Sequence, residues 1–122
     1  WAYNWKSFVD CGIPIAIGSD SPVESYHPMH GIYAAVVRKD LDGYPEGGWL
    51  PEQRLSLEEA IYGYTMGPAY CTYEEHLKGS ITPGKLADIT VLSENIFEID
   101  PDRLKEVTAV MTLVDGKIVH SA

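Results

Sequence analysis

The sequence has few basic residues and no long apolar run. It contains 9 lysines and arginines against 18 aspartates and glutamates, which gives a formal net charge of −9 at pH 7. An acidic surface repels phosphates, so we expect no nucleic-acid partner and no electrostatic attraction to anionic lipid. No apolar stretch approaches the roughly 20 residues that a membrane helix needs, so no membrane partner is expected either.

Cysteine is also scarce, because Cys11 and Cys71 are the two in the chain and they do not form a Cys-x-x-Cys pair. This usage predicts two buried, reduced thiols in a cytoplasmic protein rather than a disulfide. The chain has no initiator Met and no signal-peptide pattern, and it opens directly on the helix-like residues 1–6. We therefore expect a cut through a longer protein.

The apolar run at residues 13–17 predicts one buried strand of a parallel sheet, because it shows no polar alternation. Gly18 permits a sharp turn after this strand, and Asp20 follows just beyond its C-terminal end. In parallel α/β folds, that end of the strands is where ligands bind. Gly-Ser-Asp-Ser-Pro at residues 18–22 is also an ordinary turn sequence. On these residues alone, Asp20 is either a site carboxylate or a turn residue.

Helical patterns flank this strand on both sides. Residues 2–11 predict an amphipathic helix that ends at a glycine, and residues 28–38 predict a second helix with proline at its start. Its expected packed face comprises Met29, Ile32, Tyr33, Val36 and Val37. Residues 39–55, rich in glycine, proline and acidic residues, predict a long loop. That loop is a lid or binding loop, a flexible surface loop, or an oligomer contact through Trp49.

Ser56 to Glu59 form a capping box that predicts a third helix. Gly67-Pro68 is expected to break this helix, and residues 69–76 predict a second helical piece packed through Ala69, Tyr70 and Tyr73.

The C-terminal part predicts a small sheet instead. Residues 89–92, 107–114 and 117–120 predict three strands, with a one-turn helix at residues 102–105. Asp115-Gly116 joins the last two strands and is typical of a type I′ hairpin.

A set of short motifs runs in one order along almost the whole chain. They are Gly18-Ser19-Asp20-Ser21-Pro22-Val23-Glu24, Pro28 with residues 31–36, residues 57–60, Tyr64-Thr65, Ala69-Tyr70, and residues 79–81, 84–92 and 114–119. Together they resemble the C-terminal end of the amidohydrolase superfamily. The resemblance is to the amidohydrolase-3 branch of YtcJ-like and N-substituted formamide deformylase-like enzymes.

The resemblance implies an α/β fold, in which residues 1–79 form the C-terminal end of a (β/α)8 barrel. Residues 80–122 would be the C-terminal strands of a small composite β-sandwich. Asp20 matches the family aspartate at the end of the eighth barrel strand, which ligates a divalent metal, usually zinc, and takes the proton of the metal-bound water. The implied reaction is hydrolysis of a non-peptide C–N bond in a small-molecule substrate by metal-activated water.

Two further residues are candidates for substrate binding, Glu24 and His27. Glu24 either contacts substrate or caps the helix that follows it. His27 and His30 are three residues apart, and histidine is a common metal ligand, but neither matches a family ligand position. They would ligate a metal, line the substrate cleft, or face solvent. Lys85 and Asp88 are expected to be structural.

The remaining ligands of the family's metal site have no counterpart here. The chain contains no His-x-His pair, and a single carboxylate cannot form a zinc site that needs three or four ligands. We therefore expect a catalytically inert fragment that self-associates through exposed apolar strand surface. The alternative is a non-enzymatic interaction module that retains the scaffold and binds a partner through residues 39–55 and exposed sheet edges. A Rossmann domain is set aside, because no Gly-x-Gly-x-x-Gly follows the strand.

Overall fold

The structure is a computed structural model that describes residues 2–122. Helices and strands follow one another in the order α1 (Trp5–Asp10), α2 (Pro28–Val37), a 3-10 helix (Pro51–Gln53), α3 (Leu57–Tyr64), α4 (Met66–Cys71), β1 (Ile89–Leu92), a 3-10 helix (Pro101–Glu106), β2 (Ala109–Val114) and β3 (Lys117–Ser121). None of the helices in this part of the chain is long and apolar enough to cross a membrane.

Helix α2 is the centre of the packing and confirms the predicted second helix. Pro28 occupies its first turn, where a missing N–H costs no hydrogen bond, and Arg38 ends it in the left-handed region with φ 63°. The buried residues of α2 are Met29, Ile32, Tyr33, Ala35 and Val37. Val36, which was expected on this face, is half-buried, and Ala35 is fully buried instead.

Helix α3 begins with the predicted capping box. Glu59 N donates to Ser56 Oγ at 3.2 Å, and Ser56 N donates to a Glu59 carboxylate oxygen at 2.8 Å. The helix breaks at Thr65, not at Gly67-Pro68 as expected. Pro68 falls in the first turn of α4, where its missing N–H has no helical partner to lose.

The packed face expected for the fourth helix is only partly correct. Ala69 is buried, but Tyr70 and Tyr73 are 50% and 84% exposed. Helix α4 starts three residues earlier than predicted and ends at Cys71, so Tyr73 lies beyond it, with φ 59°. The two tyrosines are therefore not on the packed face of this helix, where the sequence pattern had predicted them.

The three predicted C-terminal strands form one antiparallel sheet in the order β1-β2-β3. Asp115 and Gly116 both have positive φ, 49° and 73°, as a type I′ hairpin requires. Asp88 accepts a hydrogen bond from Asp115 N at 2.8 Å, which ties this turn to the start of β1. Lys85 donates to the carbonyl of Lys78 at 3.3 Å. Both residues thus have the structural roles expected of them.

The core draws on both of the predicted units. Leu104 and Val107 are buried together with the apolar face of α2, and α2 packs against the 3-10 helix Pro101–Glu106. The division into residues 1–79 and 80–122 stays a prediction.

The buried parallel strand predicted at residues 13–17 is wrong for this chain. The segment forms neither helix nor strand, and Ile13 is 49% exposed. A parallel strand needs neighbours for its backbone groups, and residues 2–122 provide none beside it. The segment packs on helices instead, because Ile15 and Ile17 lie against the core and Ile17 N donates to Gly63 O at 2.8 Å.

The N-terminal helix is shorter and less buried than its pattern indicates. It covers Trp5–Asp10 and ends before Gly12, whose φ of 75° confirms the predicted glycine stop. Phe8 is half exposed. Both cysteines are free thiols but exposed, so their predicted burial is wrong, because Cys11 follows an uncovered helix and Cys71 ends α4 on its outer side.

Candidate functional site

Asp20 lies just after residues 13–17, the segment that was predicted to be a strand ending near it. Its backbone adopts φ 53°, a left-handed conformation that aspartate tolerates better than most residues. Its carbonyl accepts a hydrogen bond from Val23 N at 2.9 Å, which closes a turn. Within residues 2–122 its carboxylate is exposed and makes no hydrogen bond. The backbone therefore has the turn role, and the carboxylate stays free for a ligand.

Glu24 lies four residues further along and is exposed. The N-cap residue of α2 is His27, and no side chain caps this helix. The capping alternative for Glu24 is therefore wrong, while its contact with substrate stays a prediction.

His27 and His30 stack on each other at the start of α2. Their ring centroids are 4.5 Å apart with an interplanar angle of 19°. The Nδ1 atoms of both rings are buried and have no hydrogen-bond partner in the described part of the chain. Burial, followed by the charge of His27, lowers the pKa of His30. Neither ring faces freely into solvent, because both residues are half-buried.

A large apolar cavity of about 790 Å³ lies between α2, the α3–α4 pair and the sheet. It is lined by Tyr26, His27, Pro28, Met29, Ile32, Ile61, Tyr64, Thr65, Pro68, Ala69, Lys78, Gly79, Ser80, Ile81, Asp88, Ile89, Thr90, Leu92, Ile96 and Ala109. His27 thus borders a cleft, as one of its alternatives expected. Asp20 and Glu24 do not line this cavity, so the three predicted site residues do not meet in one concavity.

The donor set for the implied metal is incomplete. Among residues 2–122 there is no group of three or more His, Cys, Asp or Glu side chains that could hold a metal ion. Asp20 offers one carboxylate ligand, whereas zinc takes three or four. These residues by themselves do not fit a zinc site.

Arg38 is a buried charged residue of the described chain that no sequence motif singled out. Its guanidinium lies between two indole rings, 4.7 Å from the centroid of Trp5 and 5.0 Å from that of Trp49. Its side chain donates from Nε to Trp49 O at 3.0 Å, and Trp49 N donates to Arg38 O at 2.7 Å. These bonds fix the loop of residues 39–55 to the end of α2.

Tyr3 completes this aromatic cluster, with edge-to-face contacts of 5.9 Å to Trp5 and 5.7 Å to Trp49. We call the concavity formed here the aromatic pocket; it is lined by Tyr3, Trp5, Ala34, Arg38, Lys39, Asp40, Tyr44, Pro45 and Trp49. The only sequence signal for it was the tryptophan in the loop, because the residues that meet in the pocket come from three separate segments.

Two comparisons with known proteins bear on this chain, one on its fold and one on its family. An amidohydrolase from Thermotoga maritima superimposes with a TM-score of 0.72 over 98% of this chain and 26% of that chain, at 21% identity. At this identity the likeness establishes the fold. The sequence pattern of the Amidohydrolase family matches residues 1–120, and the chain belongs to that family. The resemblance inferred from the motifs is thereby confirmed.

Three sequence relatives agree with this assignment. The chain is 39% identical over 119 residues to YtcJ of Bacillus subtilis, 34% over 121 residues to the Arabidopsis thaliana protein LONG AFTER FAR-RED 3, and 31% over 111 residues to N-substituted formamide deformylase of Arthrobacter pascens. The alignments cover 98%, 98% and 91% of this chain but 22%, 20% and 20% of the relatives. The chain thus spans about a fifth of the length of the curated relatives it matches.

Proposed function

We propose that the parent protein is a metal-dependent hydrolase that cleaves a non-peptide C–N bond of a small molecule. In this proposal Asp20 is one ligand of a divalent metal, zinc, and the acceptor of a proton from the water that attacks the substrate. The observation that carries it is the free carboxylate of Asp20, held by a backbone turn in a chain of the Amidohydrolase family.

The chemistry assigns distinct tasks to the metal and to this chain. A bound divalent metal lowers the pKa of its water to about 7. An Asp20 oxygen would accept the proton of that water and pass it to the leaving nitrogen. The side chain is short, and the hydrogen bond from Val23 N to Asp20 O restrains its backbone. An exposed carboxylate with no internal partner is available for both steps.

The remainder of the predicted architecture belongs to the same proposal. Residues 13–17 would be the last strand of a (β/α)8 barrel, and residues 80–122 would join the composite β-sandwich. The packing of residues 13–17 on α3 supports this arrangement. Glu24 and His27 would contact substrate, and the position of His27 on the large cavity supports its part. The name of the Arthrobacter relative directs the substrate search to N-substituted formamides.

The first prediction concerns Asp20→Asn in the full-length parent. We expect hydrolysis of N-substituted formamides to fall by at least about 10²-fold, because the amide cannot accept the proton. Metal content, measured by mass spectrometry of the purified protein, should fall as well. Asp42→Asn is the matched control, since Asp42 is an exposed aspartate of the loop and should leave both quantities unchanged. Full activity and full metal content in the Asp20 variant would refute the assignment.

The same proposal predicts that the 122-residue chain is inactive alone. Calorimetric titration with zinc should detect no stoichiometric binding at micromolar dissociation constants, because one carboxylate is too few ligands. Tight binding of one zinc ion by the isolated chain would overturn this part of the proposal.

A non-enzymatic interaction module is the second candidate. The observation that favours it is the apolar surface of the loop, where Tyr44 is 73% and Trp49 46% exposed. A parent protein that binds no metal and hydrolyses no amide would favour this candidate over the hydrolase.

A further inference from the structure

The aromatic pocket has the composition of a ligand site rather than of a packing defect. Its volume is about 310 Å³, at the lower end of the range for small-molecule sites. Tyr3, Trp5 and Trp49 form a T-shaped aromatic cluster in this open concavity, and Tyr44 and Pro45 line it from the loop. Space of this size admits a ligand with a single ring.

A buried cation lines this pocket with an unused donor. Arg38 is 6% exposed, and its Nε is already bonded to Trp49 O. Its Nη2 is buried and has no hydrogen-bond acceptor in the part of the chain that the structure describes. A buried donor without an acceptor costs free energy, and a ligand that brings an acceptor recovers it.

The charges around Arg38 favour an acceptor that is anionic. Burial lowers the pKa of Arg38 while the nearby charge of Glu52, which does not line the pocket, raises it, and a guanidinium remains protonated in proteins. Lys39 also lines the pocket, although its ammonium is paired with Asp102 at 3.0 Å. The one acidic lining residue, Asp40, accepts hydrogen bonds from the backbone N–H groups of Asp42 and Tyr44. These bonds direct one of its oxygens into its own loop.

We infer that the aromatic pocket binds a small carboxylate carried on a flat apolar body, such as a single aromatic ring. The carboxylate would accept from Arg38 Nη2 in a charge-assisted hydrogen bond, and the ring would pack against Trp5 and Trp49. Arginine rather than lysine suits this task, because a planar guanidinium stacks between the indoles while it donates. The pocket includes neither Asp20 nor His27, so the inference holds independently of the proposed hydrolase activity.

The test titrates the folded 122-residue chain with benzoate and, separately, with benzamide. Tryptophan fluorescence and calorimetry follow binding, because Trp5 and Trp49 both line the pocket. We expect benzoate to bind and benzamide to bind about 10- to 100-fold more weakly, since the amide lacks the charge. Arg38→Lys should weaken benzoate binding by a similar factor, because the ammonium cannot stack and donate as the guanidinium does.

Arg103→Lys is the matched control, because Arg103 is an exposed arginine paired with Glu94 at 2.7 Å and does not line the pocket. It should bind benzoate as tightly as the wild type. If Arg38→Lys fails to fold, the comparison of benzoate with benzamide on the wild type decides the question alone. No binding of benzoate, equal binding of benzamide, or equal loss in Arg103→Lys would overturn the inference.

Discussion

The paired histidines at the start of α2 show how burial sets the chemistry of a single residue. His30 is half-buried, stacks on His27 and has no partner for its Nδ1 in the described chain. A protonated imidazole there would be desolvated and would also face its neighbour's charge. The folded state therefore favours neutral His30, and its pKa lies below the ordinary value of 6.5.

This lowered pKa predicts a loss of stability at mildly acidic pH. As the pH is lowered from 7 to 5, the unfolded chain takes up a proton at His30 at a higher pH than the folded chain does. The free energy of unfolding therefore decreases as the pH decreases. His30→Asn removes this titrating group, so the free energy of unfolding should decrease less steeply over the same pH interval. Urea unfolding at several pH values measures the difference.

His76→Asn serves as the control for this prediction, because His76 is exposed and lies outside the stacked pair of histidines. The change of slope should be larger in His30→Asn than in this variant. An unchanged slope in His30→Asn would mean that residue 30 is protonated equally in both states.

Arg38 marks the limit of prediction for single residues. Its importance depends on Trp5 and Trp49, which lie 33 and 11 positions away in sequence and reach it only in the fold. No local sequence pattern indicates a contact between residues so far apart in the chain. Asp20 was identifiable because one family motif contains it together with the strand-like run that precedes it.

Secondary-structure elements were predictable where their causes are local. The capping box of α3 and the Asp115-Gly116 hairpin each depend on neighbouring residues, and both form as expected. Residues 13–17 differ, because an apolar run becomes a strand only when other strands bond to it. In this chain the run lies across two helices instead.

Two glycines make this packing possible. A Cβ on Gly67 would collide with the carbonyl oxygen of Ile15, whereas a Cβ on Gly63 would meet the end of the Ile17 side chain at 2.6 Å. Backbone cannot move aside as a side chain can. Glycine at position 67 is therefore required by the backbone of residues 13–17 and not by the helix, whereas position 63 is less restricted.

Gly67→Ala should destabilise the chain by about 1–3 kcal/mol, although alanine is the better helix former. Gly63→Ala should cost less, because Ile17 can change rotamer. Gly18→Ala is the control, since no atom lies within 4 Å of the added Cβ. Urea denaturation compares all three. A Gly67 variant as stable as the wild type would mean that residues 13–17 do not rest on α4.

At the scale of the whole molecule, many large apolar side chains lie on the surface and not in the core. The chain has 8047 Å² of accessible surface, and every residue of β3 is exposed. The relatives that contain this fold are about five times as long. The family and the order of the elements were predictable from motifs along the chain. The way in which its exposed faces pack was not predictable, because that packing depends on contacts between distant residues, which local sequence patterns do not reveal.

The exposed sheet edge leads to the last prediction, that the chain self-associates. In the order β1-β2-β3, the outer edge of β3 pairs with no strand of residues 2–122, and Ile118 and Val119 are each 61% exposed. Such an edge pairs readily with a second copy, and a lysine on it disfavours the pairing. Light scattering over about a hundredfold range of concentration should give masses above 13.5 kDa that rise with concentration. Val119→Lys should lower them, and Val23→Lys, an exposed valine outside the sheet, should not. A wild-type mass of 13.5 kDa at every concentration would favour the independent interaction module.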